Sequence, residues 1–137
     1  MRRSSGFRIA EHIEEVDDVL LFAAGSGISP IRSVIESGVL KGKGVTLYYG
    51  AQTPDQMAYQ QKFAAWEELG VTVTPCISQP DGTDWAGATG YVQDVAKEAG
   101  VPPKCAMLIC GMKGMAEGVK ALAAETGIAE DKVLANF

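Results

Sequence analysis

The sequence VLLFAAGSGISP, residues 19–30, joins a continuous apolar run to two closely spaced glycines and a Ser-Pro pair. A run without alternating polar residues is typical of a strand covered on both faces, as in a parallel sheet. Gly25 ends the predicted strand. Ser29 and Pro30 then predict a helix N-cap and the first helical position. Strand, turn and helix together indicate one unit of a parallel α/β sheet.

The same alternation of apolar runs and helical patterns continues to the end of the chain. Further strands are predicted at residues 45–49, 71–77, 105–110 and 132–136, and helices at about residues 30–40, 54–69, 91–99 and from 115 onward. Pro75 cannot donate to a ladder and places the third strand at the edge of the sheet. With right-handed crossovers, the most economical arrangement is a doubly wound five-stranded parallel sheet in the order 3-2-1-4-5, with helices on both faces.

Length and composition favour a single compact domain. The chain has 137 residues, a formal net charge of -5, 47% apolar and 21% charged residues. The acidic balance argues against a nucleic-acid surface, and no apolar run approaches the roughly 20 residues of a membrane-spanning helix. Three cysteines without a CxxC or Cys/His spacing favour a reducing compartment and no metal site.

The predicted strand order places two glycine-rich turns at one crevice. A crevice opens beyond the carboxyl ends of strands one and four, and the turns GSGIS, residues 25–29, and GMKG, residues 111–114, flank it. Glycines let backbone N–H groups approach a ligand, and a helix N-terminus favours a phosphate. The spacing therefore predicts a phosphate-bearing ligand, although a glycine pair after a strand also serves as an ordinary turn. Neither turn matches the dinucleotide fingerprint or a P-loop, since Pro30 replaces the third glycine and Lys113 lacks the preceding frame.

Four ordered motifs and the closing segment carry a resemblance to a known family. Residues 25–30 resemble the G-[TS]-G-[IV]-x-P signature of the pyridine-nucleotide domain of the ferredoxin-NADP reductase family of flavoproteins. Further similar segments follow in the family's order, namely LYYG at 47–50 with Tyr59, YVQ at 91–93, CGMKGM at 110–115 and the closing VLANF at 133–137. The resemblance extends over about residues 6–137.

The resemblance implies a role for each matching residue. The cofactor-binding residues would be Gly25, Ser26, Gly27, Ile28, Ser29 and Pro30 at the diphosphate, together with Gly50, Ser78, Gln79, Tyr91, Gly111, Met112 and Met115. Cys110 would position the nicotinamide without acting as a nucleophile; its alternative role is that of a small buried residue ending a strand. Phe137 would either stack on the flavin or only end the last strand, since relatives differ at this position.

The resemblance also bears on the choice of pyridine nucleotide. Plant-type members hold the 2'-phosphate of NADPH with a Ser-Arg pair, a Lys and a Tyr. Here Ser78 and Tyr91 match, whereas Gln79 and Thr89 replace the Arg and the Lys. The loss of two cations favours NADH over NADPH, unless Arg32 or another residue compensates.

Family members carry a flavin-binding β-barrel ahead of this domain, and nothing of that kind fits in residues 1–18. We therefore expect a linker and short lead-in strand at residues 1–18 and an NAD(P)-binding domain at 19–137, with FAD held by a domain upstream or in trans. The chain alone is expected to be inactive. The protein is expected in the cytoplasm or a plastid stroma. Its electron acceptor stays open between ferredoxin, a dioxygenase component, a haem protein and a quinone. The alternative is a non-catalytic nucleotide-binding or interaction module.

Overall fold

A six-stranded parallel sheet forms the centre of the part of the chain that the computed structural model describes, Ile13 and residues 15–135. Its strands are β1 (Asp18–Ala24), β2 (Gly44–Ala51), β3 (Val71–Ile77), β4 (Ala88–Thr89), β5 (Cys105–Cys110) and β6 (Val133–Ala135). Their order across the sheet is β4-β3-β2-β1-β5-β6, and all neighbours are parallel.

Four α-helices and four short 3-10 turns connect the described strands. The helices are α1 (Ile28–Ser37), α2 (Phe63–Glu68), α3 (Val92–Ala99) and α4 (Lys113–Glu125), and the 3-10 turns are Gly25–Gly27, Pro54–Gln56, Gln60–Lys62 and Glu130–Lys132. None of these helices has the length and apolarity needed to cross a bilayer.

The central strand β1 contributes to both faces of the sheet. Leu21 belongs to one buried cluster with Ile31 of α1 and Trp66 of α2. Its neighbour Phe22 belongs to a second cluster with Val119 of α4. Since successive side chains of a strand point to opposite faces, the two clusters form separate core layers. The predicted parallel α/β sheet with helices on both faces is confirmed.

The prediction of five strands was wrong, because a sixth lies beyond the predicted edge. Cys76 and Ile77 at the end of β3 pair with Ala88 and Thr89 of β4. The order 3-2-1-4-5 survives within the larger sheet as β3-β2-β1-β5-β6. Pro75 precedes the two residues paired with β4, so its missing N–H costs that ladder nothing. A two-residue strand carries no periodicity, so the polar segment 78–90 gives no strand signal in the sequence.

The first predicted helix boundary was also wrong. Gly25 has a φ of +57°, and the 3-10 turn it opens leads directly into α1 with Gly27 as the N-cap. Ser29 thus lies in the first turn of α1 and makes no capping bond. The helix ends at Ser37, before Gly38, not at residue 40.

The second predicted helix, over 54–69, is interrupted. Two 3-10 turns precede α2, and Tyr59 between them has a left-handed backbone with a φ of +61°. The last helix begins at Lys113, two residues earlier than predicted. Phe137 and most of the predicted lead-in within residues 1–18 lie outside the described residues.

Candidate functional site

The turn after β1 and the turn after β5 are in backbone contact. A Cβ atom at Gly27 would overlap the carbonyl oxygen of Cys110 and lie 2.9 Å from the nitrogen of Gly111. A Cβ atom at Gly111 would lie 2.8 Å from Cε of Met115 and 3.4 Å from Ala24. The two predicted turns therefore lie side by side, and their glycines make that approach possible.

A cleft of about 620 Å³ opens at the carboxyl ends of the strands, within the usual size range of small-molecule sites. Residues following β1, β2 and β3 and the first residues of α3 and α4 line it. They are Ala24, Gly25, Gly50, Ala51, Gln52, Gln56, Ser78, Gln79, Gly90, Tyr91, Val92, Gln93, Met112, Gly114 and Met115.

About half of the predicted site residues line this cleft. They are Gly25, Gly50, Ser78, Gln79, Tyr91, Met112 and Met115. The others do not form its wall: Gly27, Ile28 and Cys110 are buried, Pro30 and Gly111 are half-buried, and Ser26 and Ser29 are exposed. The structure brings Gly27, Cys110 and Gly111 into contact, and ligand binding by the predicted residues remains a prediction.

Three glutamines in the cleft wall were not among the predicted site residues. Gln52 follows β2, Gln56 lies in a 3-10 turn and Gln93 lies in α3. The position of Gln52 in the turn three residues after a predicted strand was a usable signal. Gln56 had none, because the turn that carries it was predicted to be a helix.

Gln93 lies between two helices. A Cβ atom at Gly118 of α4 would lie 2.8 Å from Nε2 of Gln93, so the glycine makes room for this side chain. The Oε1 atom is buried and has no hydrogen-bond partner. An unpaired buried carbonyl is costly, and Gln93 also contributes to the cleft wall.

The described wall of the cleft carries no charged side chain. The helix N-termini instead direct backbone donors there, because α3 and α4 begin at the cleft with Tyr91 and Met112 as N-caps and no capping side chain. Unpaired N–H groups and the helix dipole at such termini favour an anion. The site therefore combines an uncharged wall with backbone donors.

Cys110 ends β5 and is 8% exposed. Burial raises the pKa of its thiol, so the group is neutral near pH 7. A neutral thiol is a poor nucleophile, which agrees with the predicted positioning role. Burial likewise raises the pKa of Cys76 to about 12 and that of Cys105 to about 11.

Trp85 fixes the segment that links β3 to β4. Its Nε1 donates to the carbonyl oxygen of Ala88 at 2.8 Å, and its ring lies so close to Gly87 that a Cβ atom there would be 2.6 Å from it. The indole is not part of the cleft wall. It holds β4 in place, and β4 leads directly to Gly90 and Tyr91 of the cleft wall.

Residues 21–121 match the sequence profile of the oxidoreductase NAD-binding domain family. The chain belongs to this family. Since that range includes both glycine turns and all of the described cleft wall, the match confirms the resemblance to the pyridine-nucleotide domain of ferredoxin-NADP reductases. The chain is thus an NAD-binding oxidoreductase module.

Similar proteins agree with this membership. The fruit protein pKIWI502 of Actinidia deliciosa is 37% identical over 136 residues, covering 94% of this chain and 43% of that protein. The electron transfer subunit of dihydroorotate dehydrogenase B (NAD(+)) from Bacillus cereus (strain Q1) is 36% identical over 96 residues, covering 70% of this chain and 34% of that subunit. The chain therefore spans less than half the length of these relatives.

A solved structure shares the fold. The ferredoxin NADP+ reductase from Neisseria gonorrhoeae with bound FAD and NADP superposes with a TM-score of 0.80 at 18% identity, over 96% of this chain and 60% of that one.

Proposed function

We propose that this module binds NADH in the cleft and presents the nicotinamide to an FAD carried by another domain or subunit. The observation that carries the proposal is the backbone contact of Gly27 with Cys110 and Gly111 beside a cleft with an uncharged wall. Two glycine turns packed in this way let a ligand approach the backbone closely.

The diphosphate end of the proposed site is formed by the turn after β1. Residues 25–27 place their backbone directly ahead of α1, and Gly25 supports the turn with its positive φ. The missing side chain of Gly27 lets the turn lie against β5, because a Cβ atom there would overlap the Cys110 carbonyl oxygen. Anion binding by such a turn requires no lysine or arginine.

The adenosine end supports NADH over NADPH. Ser78, Gln79 and Tyr91 line it, and no described residue of the wall carries the positive charge that a 2'-phosphate requires. Arg32 does not compensate, because it lies outside the wall and its Nε donates to Glu36 at 3.2 Å. Neutral amides and hydroxyls suit the two ribose hydroxyls of NADH.

The nicotinamide end is assigned to Cys110, Gly111, Met112 and Met115. These residues contribute placement: a neutral thiol at the end of β5 and two flexible thioethers that adapt to a ring. The reduced nicotinamide ring of NADH would supply a hydride for which a flavin is the acceptor. Met112 is 72% exposed and Tyr91 is 63% exposed, so an apolar rim borders the cleft.

The whole protein is proposed to be a flavin-dependent reductase that passes electrons to a further acceptor. The name of one relative as an electron transfer subunit and the FAD and NADP bound in the Neisseria reductase support this role. On this proposal the chain alone binds the nucleotide but catalyses no reaction.

Calorimetric titration of the chain with NADH and NADPH tests the binding step. We expect NADH to bind at least about tenfold more tightly, the equivalent of one missing charged hydrogen bond. Absence of NADH binding overturns the proposal, and tighter binding of NADPH overturns its choice of nucleotide.

A ferricyanide reduction assay tests the redox role. The chain alone should show no turnover with NADH, and addition of a flavin domain of the same family should produce it. Failure of the reconstituted mixture, with NADH binding intact, contradicts the reductase role and leaves a binding module.

A further inference from the structure

Tyr59 is the only non-glycine residue in the described part of the chain with a positive φ. It lies between the turns Pro54–Gln56 and Gln60–Lys62, with a φ of +61° and a ψ of +23°. Bulky residues rarely adopt this left-handed conformation, and they keep it only where the surroundings hold the side chain in place. The contacts of the Tyr59 side chain therefore show what the strained backbone serves.

Three side chains hold the Tyr59 ring. The Arg32 guanidinium carbon lies 4.9 Å above the ring centroid, and the Trp66 ring lies 6.4 Å away at a tilt of 53°. At the tip of the ring, the hydroxyl is 3.5 Å from Oγ of Ser29, the second residue of α1. One side chain thus joins α1, α2 and the turn before α2.

Glu36 fixes the two partners that hold the ring. Its Oε2 atom accepts hydrogen bonds from Nε of Arg32 at 3.2 Å and from Nε1 of Trp66 at 3.0 Å. These bonds, with that of Trp66 first in size, lower the pKa of the Glu36 carboxyl, so it is ionised at neutral pH. Trp66 is fully buried, which anchors the cluster to the core.

Ser29 connects this cluster to the glycine turn. The turn Gly25–Gly27 passes directly into α1, so the position of the Ser29 hydroxyl depends on the path of the backbone two residues earlier. None of the cluster residues, Ser29, Arg32, Glu36, Tyr59 and Trp66, lines the cleft. Their effect on a ligand has to pass through the backbone of the turn.

We propose that Tyr59 is a positioning residue whose side chain ties the first turn of α1 to α2 and keeps the glycine turn in its binding conformation before the nucleotide arrives. This inference rests on the proposed function for its ligand, NADH. A turn that is already ordered loses less conformational freedom on binding, which increases affinity without any new contact to the ligand. The strain at residue 59 is then tolerated because the side chain is needed at that place.

The variant Y59F tests the hydroxyl contact, with Y48F as the matched control. Phenylalanine keeps the ring against Arg32 and Trp66 and loses the hydroxyl contacts with Ser29 and Arg32. Tyr48 lies in β2, stacks on Phe22 at 5.4 Å and does not line the cleft. For Y59F, we expect faster hydrogen exchange in the ligand-free peptide covering residues 25–35 and NADH binding roughly threefold to tenfold weaker. Y48F should change neither measurement.

The variant Y59G separates the side chain from the strained backbone. Glycine adopts the same φ without strain, so any loosening of the turn must come from the missing ring. We expect faster exchange in residues 25–35 than in Y59F and a larger loss of NADH affinity.

The two measurements distinguish the possible failures. Unchanged exchange in the turn and unchanged NADH affinity in both variants overturn the role of Tyr59, while the proposed function stands. Absence of NADH binding by the wild-type chain overturns the proposed function, and the ligand role of Tyr59 with it. Faster exchange with unchanged affinity shows that the contact is structural only and also overturns the proposal.

Discussion

The turns after β1 and after β3 border the same cleft and are built on different principles. After β1, the backbone of Gly27 lies directly against the carbonyl group of Cys110, and no side chain fits between them. After β3, backbone bonds from Ser78 to Ala51 and from Gln79 to Gln52, at 3.0 and 2.8 Å, hold the chain while its side chains face the cleft. The first turn packs through its backbone and the second contributes side chains to the cleft wall, so we expect substitutions at the two to differ in kind.

The largest effect is expected for Gly27→Ala. The added methyl group would overlap the Cys110 carbonyl, which is backbone and cannot rotate away, so β1 and β5 would have to separate. We expect the free energy of unfolding to fall by about 3 kcal/mol in urea titrations, and NADH binding to be lost.

Gly114→Ala is the matched control for stability. No atom lies within 4 Å of a Cβ atom there, and the residue is in the first turn of α4. Alanine should leave the protein as stable or make it more stable by up to about 1 kcal/mol. Equal urea midpoints for the two variants would contradict the close packing of the first turn.

Substitutions in the turn after β3 should change the preference of the protein between NADH and NADPH. Gln79→Arg adds a cation to the uncharged wall, and we expect NADPH affinity to rise about tenfold in calorimetric titrations with little change for NADH. Gln79→Glu is the opposite control and should weaken NADPH binding. If the arginine variant keeps the wild-type ratio of NADPH to NADH affinity, the 2' position of the adenosine ribose does not lie beside residue 79.

Cys110 lies where the first turn meets β5, and its replacement should separate binding from turnover. In Cys110→Ala, with a flavin domain added, we expect kcat to fall about fivefold, because a misplaced ring reacts more slowly, and NADH affinity to change less than about twofold. An unaltered kcat would contradict the positioning role of Cys110 and leave it the role of a small buried residue that ends a strand.

The smallest effect concerns the thiol at the end of β3. Burial raises the pKa of Cys76 from 9.0 to about 12, so above pH 9 the unfolded chain releases a proton that the folded chain keeps. This contribution to stability is complete below pH 9 and decreases as the pH rises toward 12. In urea titrations from pH 8 to pH 10.5, the midpoint of Cys76→Ala should decrease less steeply than that of the wild type. Parallel curves would show that this thiol does not set the alkaline limit.

Most of the sheet could be predicted because residues 19–24 and 105–110 are continuous apolar runs and β3 begins with alternating valine and threonine. Residues 19–24, 71–77 and 105–110 are strands in the structure, and the prediction placed them in the correct relative order. The two-residue strand β4 was missed because its place depends on pairing with β3 and on the bond from Trp85 to Ala88. Contacts of that kind leave no periodic pattern.

The site was predictable where its chemistry depends on the backbone. The glycines of both turns appear in the sequence, and strand order alone brings the turns to one edge. Gln56 and the contacts of Tyr59 were missed, since the predicted helix over 54–69 is broken by a left-handed residue. That break is held by Arg32 and Trp66 from other elements, which local propensity does not include.

The order of apolar runs and glycines already determined a parallel sheet with two turns at its carboxyl edge, because these features depend on side-chain period and on the freedom of glycine. The folded chain alone decided that Gly27 touches the Cys110 carbonyl, that the described cleft wall is free of charge, and that Arg32 is held by Glu36 away from that wall. Each of these depends on residues far apart in sequence that only packing brings into contact.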